Sequence, residues 1–104
     1  MSKTKMFKKN GKVGVIISPG FGAGFSTWND RNMATDFDLV DALLKGEMDR
    51  FKYIADEKYD EWYDGGTVSL KVEWVPEGSR FMIKEYDGHE SLVILDDTNT
   101  FIAE

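Results

Sequence analysis

At 104 residues, with 41% hydrophobic and 13% aromatic residues, the chain has the length of one domain and enough apolar material for a core of its own. It has no cysteine, which excludes a disulfide framework and a thiolate zinc site and fits a cytoplasmic setting. The net charge is -6, and it is unevenly spread, because Lys3, Lys5, Lys8, Lys9 and Lys12 precede the first acid, Asp30, and the remaining 8 basic residues face 19 acids. Such a body repels phosphate backbones, so direct nucleic-acid binding is not expected. The start, residues 1–12, reads as a basic tail, and 13–104 as a single domain.

The apolar run Val13 to Ile17 is too short to span a bilayer, and the N-terminus has no signal-peptide core, so neither membrane insertion nor export is expected. Asn10-Gly11 is a turn signal, and Lys12 to Ser18 reads as a strand whose continuous apolar run indicates burial on both faces. Pro19 ends it. From Ser18 to Asn29 no period is visible, and the stretch reads as a long loop.

A helix is expected from Thr35, as N-cap with Asp38 in a capping-box position, through the apolar face Leu39, Val40, Leu43 and Leu44 to a stop at Gly46. A second should cover Met48 to about Tyr59, burying Met48, Phe51, Ile54 and Ala55. From Thr67 the period changes to two, with Val68, Leu70, Val72 and Trp74 on one face. Pro76-Glu77-Gly78 then turns the chain into a strand Arg80 to Tyr86, and Asp87-Gly88 turns it again into His89 to Leu95. A two-residue turn there pairs Tyr86 with His89, Ile83 with Leu92 and Phe81 with Ile94, which places the apolar partners on one face.

These elements give an α+β fold: an antiparallel sheet of about four strands, with the first inserted centrally and the last three as a C-terminal meander, covered on one face by two helices. Val15, Ile17, Leu43, Val72, Trp74, Phe81, Ile83 and Leu92 are expected to share the core.

The loop carries the first candidate site. Gly20, Gly22 and Gly24 let backbone approach a ligand and bare its N–H groups, as in a phosphate cradle. Phe21, Phe25 and Trp28 offer stacking faces, while Ser26, Thr27, Asn29 and Arg31 offer hydrogen bonds. The spacing G-x-G-x-G departs from the dinucleotide fingerprint, and no Lys-Ser/Thr pair of a P-loop follows. The alternative is a structural loop whose aromatics plug the open end of the sheet.

Other groups carry less. His89, the one imidazole, lies beside a hairpin turn with no activated nucleophile signalled, so no catalytic residue is assigned. Glu85 and Glu90 should lie nearly opposite, where two carboxylates can bind a divalent ion or raise each other's pKa; the alternative is a solvated rim, and no metal or cofactor is assigned. Asp56, Glu57, Asp60, Glu61 and Asp64 interleave with Tyr59, Trp62 and Tyr63. That is the composition of a protein-recognition patch, or of acids facing water over aromatics turned inward.

Two blocks, VGVIISPGFGAGFSTWN from Val13 to Asn29 and VEWVPEGSRFMIKE from Val72 to Glu85 with Tyr86-Asp87-Gly88 after it, resemble small uncharacterised proteins encoded by bacteriophages and prophages. The likeness covers Val13 to Leu95 and implies a phage origin and a place in the host cytoplasm, but carries no activity and no site residue. Small phage accessory proteins generally act by binding. The expected function is therefore non-enzymatic binding of a host or defence protein, or of a small ligand, through the loop (Gly20, Gly22, Gly24, Ser26, Thr27, Trp28, Asn29, Arg31), the acidic aromatic patch, or both. The alternatives are a small hydrolase or transferase acting on a phosphorylated substrate, and an acidic nucleic-acid mimic. Assembly into a homo-oligomer is left open.

Overall fold

The computed structural model describes residues 6–20 and 22–95, the side chain of Val68 excepted. Lys3, Lys5 and Phe21, named above, lie outside the described residues, as does the end of the domain from residue 96.

Strand β1, Lys8–Lys9, and strand β2, Lys12–Ile17, form a hairpin across Asn10 and Gly11. Both turn residues have positive φ, 54° and 76°, the twist that a two-residue turn needs. Part of the expected tail thus belongs to the sheet. Strand β3, Lys71–Pro76, pairs antiparallel with β2 from Lys12 opposite Pro76 to Ile17 opposite Lys71, which leaves β2 in the centre, as its apolar run foretold.

The two faces of this sheet have different covers. On one, helices α1 (Phe37–Leu44) and α2 (Met48–Lys58) pack Leu39, Val40, Ala42, Phe51 and Ala55 around Ile16, with Val72 and Leu43 at the margin. A Cβ at Gly14 would lie 3.1 Å from both Val40 and Val72, so a bare backbone at this position lets α1 settle onto the sheet. On the other face, strands β4 (Arg80–Tyr86) and β5 (His89–Leu95) form a hairpin whose Phe81, Ile83 and Leu92 pack on Val13, Val15, Ile17, Ala34 and Val75.

The α+β class and the helical cover hold, but the meander does not. The described residues form five strands in two sheets, ordered β1-β2-β3 and β4-β5, where one sheet of about four was expected. The reason lies in β2. A strand buried on both faces requires a second cover, and the last hairpin supplies it by folding across the sheet rather than extending its edge. The single expected core is accordingly two clusters: Leu43 and Val72 belong to the helical side, and Val15, Ile17, Phe81, Ile83 and Leu92 to the hairpin side. Trp74 is half-buried beside Phe7, with ring centroids 6.1 Å apart. The hairpin register itself is as expected, from Tyr86 opposite His89 to Arg80 opposite Leu95.

Helix α1 starts at Asp36, not Thr35. A short 3-10 turn, Arg31–Ala34, occupies the chain before it and ends on Thr35. The Asp36 carboxylate caps the helix, accepting the amides of Asp38 at 2.9 Å and Leu39 at 3.2 Å. An ionised carboxylate outbids a hydroxyl for this place because it can accept from several donors. Here it also accepts the Tyr59 hydroxyl at 2.7 Å and the Lys58 ammonium at 3.2 Å, which ties the end of α2 to the start of α1. The α1 stop at Gly46 is as expected: its φ is 72°, with the amides of Gly46 and Glu47 returning to Leu43 and Ala42 in a Schellman closure. In place of a strand from Thr67, a 3-10 turn Thr67–Ser69 precedes β3. Among the described residues no helix is long and apolar enough to cross a membrane.

Candidate functional site

The loop after β2 folds around a side chain of the last strand. Glu90 on β5 is 1% exposed, and its Oε1 accepts the amides of Ser18 at 2.8 Å and Ser26 at 3.2 Å. Oε2 accepts the amides of Phe25 at 2.9 Å and Thr27 at 2.8 Å and the Thr27 hydroxyl at 2.7 Å. A buried carboxylate without such donors would be expensive to desolvate, whereas convergent N–H dipoles make its ionised form tolerable. The loop's convergent donors thus hold a carboxylate of the protein itself, and they are the amides of Ser18, Phe25, Ser26 and Thr27, not those of Gly20, Gly22 and Gly24 on which the expected cradle rested.

The glycines serve the same closure. Gly22 has a φ of 100°, and its amide donates to Asp87 O in the hairpin turn. A Cβ on Gly88 would lie 2.2 Å from the Ala23 nitrogen, and one on Gly66 2.3 Å from the Gly24 oxygen. Close backbone approach is indeed what the glycines permit, but the partners are other turns of this chain. The Ser18 hydroxyl donates to Ala23 O and the Ser26 hydroxyl to Ile16 O, and His89 Nδ1 lies in hydrogen-bond contact with Pro19 O.

Glu85 and Glu90 are paired across the hairpin, yet they diverge. Glu85 accepts the Gly88 amide at 2.7 Å while Glu90 turns into the loop, so the two do not share an ion. Among the described residues no group of three or more His, Asp or Glu side chains could hold a metal.

Beyond Thr27 the loop turns outward. Asn29 stitches it to the acidic segment: its amide nitrogen donates to Phe25 O at 3.0 Å and Tyr63 O at 2.9 Å, and its carbonyl oxygen accepts the Tyr63 amide at 2.5 Å. The rings of Trp28 and Tyr63 consequently lie together, centroids 5.3 Å apart and inclined at 42°, each 42% exposed. The aromatics of the acidic segment divide. Trp62 turns inward against Phe25 and Phe51, at 6.3 and 6.4 Å, with its indole N–H on Asp56 at 2.7 Å; Tyr59 reaches Asp36, and Tyr63 faces out. The acids Asp56, Glu57, Asp60, Glu61 and Asp64 are exposed. Two shallow grooves of about 380 and 410 Å³ border this ledge, the first with Trp28, Asp30, Asp60 and Glu61 in its walls, the second with Asp56, Asp60, Glu61 and Asp64.

Of the expected site residues, Gly24, Ser26 and Thr27 thus gather at Glu90, Gly20 and Gly22 shape the turn beside it, Trp28 and Asn29 form the outward ledge, and Arg31 stands apart on the 3-10 turn. Glu90 and Asp36, which organise the region, were assigned no such role from the sequence. Glu90 had a signal, because strand period two puts it on the same face as the inward Leu92. Near Asp36, partial burial works against the Lys58 ammonium, but its bonds to Asp38, at 2.8 Å, and Asp36 outweigh that and hold its pKa above the ordinary 10.5.

Protein families, curated proteins and solved structures yield no match to this chain.

Proposed function

We propose that the chain is a non-enzymatic binding protein, of phage origin as the two sequence blocks imply, which engages a host or defence protein through the Trp28–Tyr63 ledge, and that what docks there is a Lys- or Arg-rich segment. The observation that carries this reading is the exposed aromatic pair held by Asn29 amid acids. Trp and Tyr are the side chains that most often dominate protein-binding energy. Their faces attract guanidinium and ammonium groups, and the surrounding carboxylates favour the same cations. The loop beneath is fastened to Glu90, so little further ordering is needed on binding, which favours affinity.

The reading as an enzyme for phosphorylated substrates finds less support, since four amides of the loop are bonded to Glu90 and the Gly22 amide to Asp87 O. A titration with a nonaarginine peptide and with a nonaglutamate peptide, followed by Trp fluorescence and calorimetry, tests the proposal. Saturable binding of the first alone, lost in Trp28→Ala, is expected. Equal behaviour of the two peptides, or full binding by Trp28→Ala, overturns it.

A further inference from the structure

A second concave surface lies on the other side of the loop, between the 3-10 turn Arg31–Ala34 and strand β4, and it encloses about 560 Å³. That is within the usual range for small-molecule sites. Its lining includes the apolar Ala34, Phe81 and Ile83, continuous with the hairpin-side core, the exposed Arg31 and Asn32, and the buried Thr35.

The charge of this cleft departs from that of its surroundings. The chain carries a net charge of -6, and acids outnumber cations in the lining of both grooves beside the ledge: Asp30, Asp60 and Glu61 against Lys58 in the first, and Asp56, Asp60, Glu61 and Asp64 in the second. Among the described residues no Asp or Glu lines the cleft, Arg31 is its one charged lining residue, and Arg31 forms no ion pair. A planar guanidinium without a carboxylate partner, at the mouth of an apolar depression, matches a carboxylate or phosphate group attached to an apolar body.

We propose that this cleft binds a small molecule with an aromatic or otherwise apolar body and a single anionic group, the body against Phe81 and Ile83 and the anion on Arg31. This goes beyond the protein-binding reading and does not depend on it. The apolar wall supplies burial and the cation supplies orientation, the usual division of labour in such sites.

The test uses the full chain, 15N-labelled, with 2-naphthoate as the anionic probe and 2-naphthalenemethanol as its neutral counterpart, followed by amide chemical shifts. Naphthoate should produce saturable shifts centred on residues 26–35 and 81–83, and should bind about tenfold more tightly than the alcohol, as expected for one charge-assisted hydrogen-bonded contact. Arg31→Gln should abolish that preference. Asn32→Asp, an exposed change that places a carboxylate beside Arg31 without disturbing the core, should weaken naphthoate while leaving the alcohol unaffected. Equal affinity for the two probes, shifts centred elsewhere, absence of saturation, or a preference that survives Arg31→Gln would each overturn the proposal.

Discussion

The Glu90 carboxylate accepts the Phe25 amide at 2.9 Å across 65 positions of sequence, one of five hydrogen bonds through which this side chain joins the loop after β2 to strand β5. Replacing Glu90 by Gln keeps the shape but removes the charge and turns an NH2 group toward amide donors. A buried donor left facing donors costs about 1 to 3 kcal/mol, and hydrogen bonds to a charged group contribute about 1.5 to 3 kcal/mol each. We therefore expect Glu90→Gln to cost about 3 kcal/mol or more in urea unfolding. A loss below about 1 kcal/mol would mean the cradle contributes little.

Two glycines separate backbone strain from contact. Gly78 and Gly88 have nearly the same φ, 88° and 84°, but a Cβ on Gly78 meets nothing within 4 Å whereas one on Gly88 meets Ala23 at 2.2 Å. Gly78→Ala should cost about 1 kcal/mol from the left-handed conformation alone. Gly88→Ala should cost about 1 to 3 kcal/mol more, because the loop must also be displaced. Equal melting temperatures for the two variants would contradict the close seating of the hairpin turn on the loop.

In the core, Phe25 is fully buried between Phe51 and Trp62, while Phe81 is half-buried against the central sheet. Phe25→Ala should cost about 3 to 5 kcal/mol, and Phe81→Ala about half of that. Chemical denaturation of both variants checks the order, which the fold requires to be Phe25 above Phe81.

Lys58 has a folded-state pKa above 10.5, so its bonds to Asp36 and Asp38 stabilise the fold fully below that value and lose their effect as pH rises through the higher folded one. Lys58→Met should therefore be less stable than the wild type at neutral pH. The gap should close as the pH is raised above the ordinary lysine value and through the higher folded one. Parallel melting curves that keep a constant gap over this range would exclude the linkage.

What the sequence disclosed follows from the range of the forces involved. The register of β4 and β5 was legible because Asp87-Gly88 fixes a two-residue turn and the apolar alternation on each side agrees with it. So was the central place of β2, because an unbroken apolar run fits only a strand covered on both faces. The partner of β3 was not legible: Val72 and Trp74 alternate as well for pairing with β4 as with β2, and the choice depends on which cover the far face of β2 receives. The helix start was misplaced by one residue, since Thr35 and Asp36 both have capping side chains and only the approach of Lys58 and Tyr59 favours the carboxylate. At the loop, alternate glycines suggested an anion cradle built on their own N–H groups, whereas the donors that converge are the amides of Ser18, Phe25, Ser26 and Thr27. That Glu90 accepts from them depends on a pairing 65 positions away, which local spacing does not encode.

The measurement closest to the central claim is capture from a bacterial lysate by the wild type, Trp28→Ala and the double variant Asp60→Asn/Glu61→Gln, read by native mass spectrometry, with circular dichroism to confirm that all three fold. The account predicts a protein partner held through a basic segment by the wild type, released with rising salt as screening shortens the reach of exposed charges, and lost or greatly weakened in both variants. A partner retained at full strength by both folded variants would contradict it.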